Sequence, residues 1–121
     1  MQNRRSGPRH VISFPVRVDW KDENGKQLTE EGLTENVGPN GALVFLPRLL
    51  PEVGTSVKLT VTENPKDEVS VSAEVLRLER NAAHPQAALQ VTRKLKVWKE
   101  KVWSYAAAVL DKEKPEVYED W

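Results

Sequence analysis

The sequence predicts an all-β domain closed by a C-terminal α-helix, with about six antiparallel strands spaced as in a compact sandwich or barrel. Three observations predict it. Apolar residues alternate with polar ones at Ile12, Phe14, Val16 and Val18, again at Val57, Leu59 and Val61, and again at Val69, Val71, Ala73 and Val75, the period of two that marks strands with one buried face. Gly, Pro and Asn collect between these runs, where turns are needed. From Leu95 onward the apolar period changes to three and four, which is helical.

Taken in order, the first strand ends before Asn24-Gly25, a pair suited to a turn. Residues 27–36 form a second extended run, which passes through Gly38-Pro39-Asn40-Gly41 into a third strand over residues 42–46. Residues 47–54 are a Pro-containing loop, and residues 63–67 are polar turn material around Pro65. The run from Val69 continues toward Arg80, and residues 87–91 form a last short strand. Leu95, Trp98, Val102, Tyr105 and Val109 then make one stripe, with Lys96, Lys99 and Lys101 off it, so the helix is expected to cover one mouth or face of the sheet. The chain divides accordingly into a flexible N-terminal segment (1–10), a β domain (11–92), an amphipathic helix (93–110) and a charged tail (111–121), with Tyr118 and Trp121 as docking candidates in the tail.

A length of 121 residues suits one domain, with about two-thirds of the unfolded surface buried around a single core. The absence of cysteine removes disulfides and thiolate metal sites, and a reducing cytoplasm is the expected location. The apolar stretch at residues 11–16 is short and broken by Ser13 and Pro15, so neither secretion nor membrane insertion is expected. Eighteen basic residues balance eighteen acidic ones, which argues against DNA or RNA as a partner and confines any anion site to a local cluster. Arg4, Arg5 and Arg9 form one such cluster; Arg93, Lys94, Lys96, Lys99 and Lys101 form a second that suits the solvated face of a helix.

Little in the sequence supports catalysis. No serine sits in a GxSxG elbow, and His10 and His84 are the only histidines, too few and too far apart for a nucleophile–base pair or a metal set. No phosphate-cradling Walker loop or dinucleotide GxGxxG occurs. A non-enzymatic protein without metal or cofactor is expected.

Two motifs carry the functional signal. Arg5-Ser6-Gly7-Pro8-Arg9 puts two guanidinium groups four residues apart ahead of the first strand, roughly 13 Å between Cα atoms if extended and less if Gly7-Pro8 turns. A planar guanidinium pairs with guanine O6 and N7, bridges phosphate oxygens and stacks on a base; an ordinary basic tail is the other reading of the same residues. Asn36-Val37-Gly38-Pro39-Asn40-Gly41 has the composition of a β-turn whether or not anything binds there. It would also let a ligand approach the backbone, with the Asn36 amide free to read a base edge.

In this order and on this strand pattern, the two motifs resemble those of the PilZ family, RxxxR before the first strand and (D/N)xSxxG beyond it. Arg5 and Arg9 match the first, Asn36 and Gly41 the ends of the second. Gly54, the Val75-Leu76-Arg77 stretch and the terminal helix fall where the family would put them, so the resemblance covers nearly the whole chain. It implies a six-stranded antiparallel PilZ-like β-barrel with a C-terminal α-helix, a receptor for the bacterial second messenger cyclic di-GMP. Arg5 and Arg9 would contact guanine and phosphate, Asn36 a guanine edge, and Gly41 would permit the turn; Arg4 and His10 would be flanking contacts. Arg77 would be either a supporting contact or a solvent-facing strand residue.

Two departures accompany the match. Gly38 stands at the serine position, and one missing hydrogen bond to a charged ligand weakens binding by about ten- to a hundred-fold unless backbone or water substitutes. The strand over residues 87–91 also lacks the glycine and phenylalanine common in the family. The resemblance therefore implies a cyclic di-GMP receptor whose N-terminal segment closes on the ligand and whose altered surface a protein partner, unidentified by the sequence, would read. Its alternative is a degenerate PilZ-like adaptor that works through protein contacts alone, for which Trp98, Trp103, Tyr118 and Trp121 offer apolar surface; packing of the helix on the sheet is the other use of those aromatics.

Overall fold

The computed structural model describes residues 8–113. Six antiparallel strands, β1 (Pro15–Lys21), β2 (Gln27–Gly38), β3 (Gly41–Phe45), β4 (Ser56–Val61), β5 (Val69–Glu79) and β6 (Gln86–Arg93), close into a barrel in the order β1-β2-β3-β6-β5-β4. Closure between β1 and β4 pairs Val16 with Val61 and Val18 with Leu59, which leaves no sheet edge open. The alternating residues face inward as expected: Val16, Val18, Leu59, Val71, Ala73 and Val75 are all buried. A C-terminal helix, α1 (Leu95–Trp98), a π-helical turn (Lys99–Trp103) and α2 (Ser104–Glu113), follows without a break.

β2 is the least apolar strand, and its inward positions include Glu30 and Thr34, both buried. Each has a partner, as buried polar groups require. Glu30 Oε2 accepts the Arg48 backbone N–H at 2.8 Å, which ties the β3–β4 loop to the barrel. The Thr34 hydroxyl accepts from Phe14 N at 2.8 Å and donates to Ile12 O at 2.5 Å. Regular pairing thus begins only at Pro15, while residues 10–14 are held beside β2 by this hydroxyl and by a mutual backbone pair between His10 and Val37, 2.8 Å in each direction.

The turn at Asn24-Gly25 forms as predicted. Gly25 has φ of 80°, and the Asp22 carboxylate accepts the Asn24 and Lys26 backbone N–H groups, both at 2.9 Å.

The buried stripe of the helix differs from the expected one. Trp98, Val102 and Ala106 are buried, whereas Leu95 and Tyr105 are exposed. A π turn accommodates an extra residue relative to α geometry and so rotates everything beyond it; the stripe slips from Tyr105 to Ala106. Tyr105 still packs, its ring stacked on Phe14 at 5.7 Å.

Candidate ligand-binding site

Arg9 reaches Asn36 directly. Its Nη1 donates to Asn36 Oδ1 at 2.7 Å, across a sequence gap that the His10–Val37 pair closes. On the way the side chain lies over Gly38: a Cβ built on that glycine would sit 3.3 Å from Arg9 Nη1 and 3.5 Å from its Cζ. The place of the family's serine side chain therefore lies under the Arg9 guanidinium. These two features are coupled, because a side chain at position 38 would meet the arginine and push it outward by a few tenths of an ångström.

The two-residue turn Pro39-Asn40 joins β2 to β3, with Gly38 paired to Gly41. Neither Gly38 nor Gly41 has positive φ. Gly41 is needed for space instead: a Cβ there would overlap the carbonyl oxygen of Leu89 on β6. The turn is held on the same side by Val91 N–H donating to Asn40 O at 2.8 Å.

Two tryptophans of the helix grip both halves of the site. Trp98, fully buried, donates its indole Nε1–H to Gly38 O at 2.9 Å. Trp103 donates Nε1–H to Pro8 O, also at 2.9 Å, and its ring stacks on His10 at 5.9 Å. Burying an indole requires a partner for its N–H, and here those partners are the carbonyls beside the Arg9 guanidinium and just before it in the chain.

The outer surface of the barrel continues from this cluster as a shallow floor. Asn36 pairs with Leu43, Leu43 with Ala88, and Ala88 with Arg77. Asn36, Leu43 and Ala88 are partly exposed and Arg77 is exposed, in contrast to the neighbouring buried row of Val37, Ala42, Leu89 and Val75. Arg77 thus faces outward on the same row as Asn36, about 14 Å away at three strand spacings. The floor between two polar ends suits a flat, polar-edged ligand.

A bulge in β2 between Thr34 and Asn36 leaves Glu35 and Asn36 both partly exposed. Glu35 Oε2 lies 2.6 Å from His84 Nε2, and the His84 ring stacks on Phe45 at 4.6 Å with a 10° interplanar angle.

The PilZ domain family model matches residues 3–97. The chain belongs to the PilZ domain family. No curated protein matches it by sequence. Among solved structures, the Bacillus subtilis inhibitor of motility MotI/DgrA is 17% identical with a TM-score of 0.70, over 94% of this chain and 55% of that one. The PilZ domain of CeSA from a cellulose-synthesizing bacterium is 17% identical with a TM-score of 0.61, over 85% and 98%. Escherichia coli YcgR in complex with c-di-GMP is 14% identical with a TM-score of 0.64, over 90% and 49%. The chain spans about half the length of MotI/DgrA and of that YcgR structure.

Of the residues the sequence nominates, this PilZ domain brings Arg9, Asn36 and Gly38 into contact, places Gly41 at the neighbouring strand crossing and puts Arg77 across the floor. His10 is partly exposed with its ring on Trp103. Arg4 and Arg5 lie outside the described residues, as do Tyr118 and Trp121. Sequence reading missed the bond from Trp98 to Gly38 and the Glu35–His84–Phe45 cluster; their long separations gave no local signal. No helix among the described residues is long and apolar enough to cross a membrane.

Proposed function

We propose that this PilZ domain is a cyclic di-GMP receptor that converts ligand binding into a change at its N-terminal segment and C-terminal helix, without chemistry on the ligand. The observation that carries the reading is the Arg9–Asn36 bond over Gly38. One guanidinium and one carboxamide meet at the end of an open floor, and together they supply the donors and acceptors that a guanine edge or phosphate requires. Arg9 would leave Asn36 for the ligand, and Arg5 would join it from the preceding segment. Arg77 would face the far side of the dinucleotide.

The Trp103–Pro8 and Trp98–Gly38 bonds give the response a route. A ligand that draws Arg9 away pulls on Pro8, one residue earlier, and hence on Trp103 at the end of the π turn. Such turns are frequent at functional sites. A protein partner reading the helix or the N-terminal segment would sense the difference, and a cytoplasmic location fits a cyclic dinucleotide ligand. The second reading, an adaptor that binds protein alone, draws on the missing Gly38 hydroxyl.

Calorimetric titration separates the two. The receptor reading expects cyclic di-GMP to bind at micromolar concentration or tighter, with at least tenfold weaker binding by Arg9→Ala. A titration without heat at high protein concentration, together with unchanged amide spectra, would leave the adaptor reading.

A further inference from the structure

We propose that Glu35, positioned by His84, reads the Watson–Crick edge of a guanine on the Leu43–Ala88 floor and sets the preference for guanine over adenine. This rests on the receptor reading above and adds a recognition residue that lies outside both arginine and asparagine motifs.

The backbone makes the first part of the case. In a regular strand one of two consecutive residues faces inward, but the β2 bulge turns both Glu35 and Asn36 outward. Bulges commonly re-aim a side chain next to a site. Glu35 and the asparagine to which Arg9 is bonded are therefore consecutive residues on the same outer face of the barrel.

The carboxylate is also held in orientation from outside β2. An ionised carboxylate can only accept, so His84 Nε2–H donates the 2.6 Å bond to Oε2. The imidazole is fixed in turn by its stack on Phe45. Its loop is shaped by Asn81, whose Oδ1 accepts Ala83 N–H at 2.8 Å and whose backbone oxygen accepts His84 N–H at 2.9 Å. Exposed pairs of this kind contribute little to stability. A bulge, an aromatic stack and a side-chain-capped turn nonetheless converge on one carboxylate.

The chemistry identifies what such a carboxylate recognises. It has about four lone-pair sites, so the bond from His84 leaves acceptor capacity. Guanine presents two adjacent donors on its Watson–Crick edge, N1–H and the exocyclic N2–H2. Adenine presents an unprotonated N1, whose lone pair would face the carboxylate. The same group thus attracts one purine and repels the other, which is how discrimination is most economically built. Arg9 complements it, since its fork suits the adjoining guanine edge, O6 and N7.

The test titrates the whole chain with cyclic di-GMP and, separately, cyclic di-AMP, comparing wild type, Glu35→Gln and His84→Ala. Wild type should prefer the guanine dinucleotide. Glu35→Gln should weaken cyclic di-GMP about ten- to a hundred-fold, the range for one bidentate base contact, while cyclic di-AMP binding stays the same or improves. His84→Ala should lower the guanine-to-adenine ratio in the same direction by a smaller factor, a change that loss of a merely structural contact would not produce. An unchanged ratio in Glu35→Gln overturns this inference and leaves the receptor reading standing. Failure of wild type to bind either dinucleotide overturns both.

Discussion

Trp98 donates its indole N–H to the carbonyl oxygen of Gly38 at 2.9 Å, from a fully buried ring on the helix to the last residue of β2. This bond fixes the backbone under Arg9 and joins the helix to the site. Trp98→Phe keeps an aromatic ring but removes the donor that ties the helix to this carbonyl, at a cost of about 0.5–1.5 kcal/mol, the net worth of one hydrogen bond. Chemical denaturation should show the loss as a lower midpoint at unchanged slope.

Thr34 is the corresponding tie for the N-terminal segment. Thr34→Val preserves shape and removes the hydroxyl that both accepts from Phe14 and donates to Ile12. A destabilisation of about 1–3 kcal/mol is expected, with faster hydrogen exchange at the Phe14 amide as the local signature. Unaltered exchange there would mean that the segment is held by something else.

Much of the fold was legible because hydrophobic alternation is a local property. The runs at β1, β4 and β5 announced their buried faces, and Gly25 announced its turn. β2 was harder to define, since its buried inward positions include Glu30 and Thr34 and their partners, Arg48 and Phe14, are distant in sequence. The change of direction into the helix was also hidden: Lys94 takes φ of 66° with no glycine to mark it. The slip of the buried stripe from Tyr105 to Ala106 arises from backbone geometry, which residue spacing alone does not encode.

The site was legible in part for the same reason. Spacing nominated Arg9, Asn36, Gly38 and Gly41. It assigned Gly41 to the turn, whereas the structure requires that glycine for the close approach of β3 to β6. The Gly38 departure looked like a simple loss until Arg9 was found over it.

Gly41→Ala tests that close approach. The added Cβ would overlap Leu89 O, a backbone atom, so the strands must separate. Overpacking of this sort costs about 1–3 kcal/mol or more. Thermal unfolding should report it, and an unchanged midpoint would contradict the packing role.

Gly38→Ser restores the hydroxyl of the family motif under a flexible guanidinium. The 3.3 Å contact with Arg9 Nη1 needs a shift of only a few tenths of an ångström at the end of a long side chain. Binding of cyclic di-GMP should tighten by about tenfold, the gain from one hydrogen bond to a charged group. Weaker binding by the variant would show that the low-lying Arg9 matters more than the hydroxyl.

The central claim, that Arg9 and Asn36 form one end of a dinucleotide site wired to the helix, is tested most directly by NMR titration of the full chain with cyclic di-GMP. Saturable shifts are predicted at the Asn36 side-chain amide, the Gly38 backbone amide and the Trp98 and Trp103 indole N–H groups, with all four lost in Arg9→Ala. Shifts absent at saturating ligand, or confined to residues away from this end of β2, would contradict it.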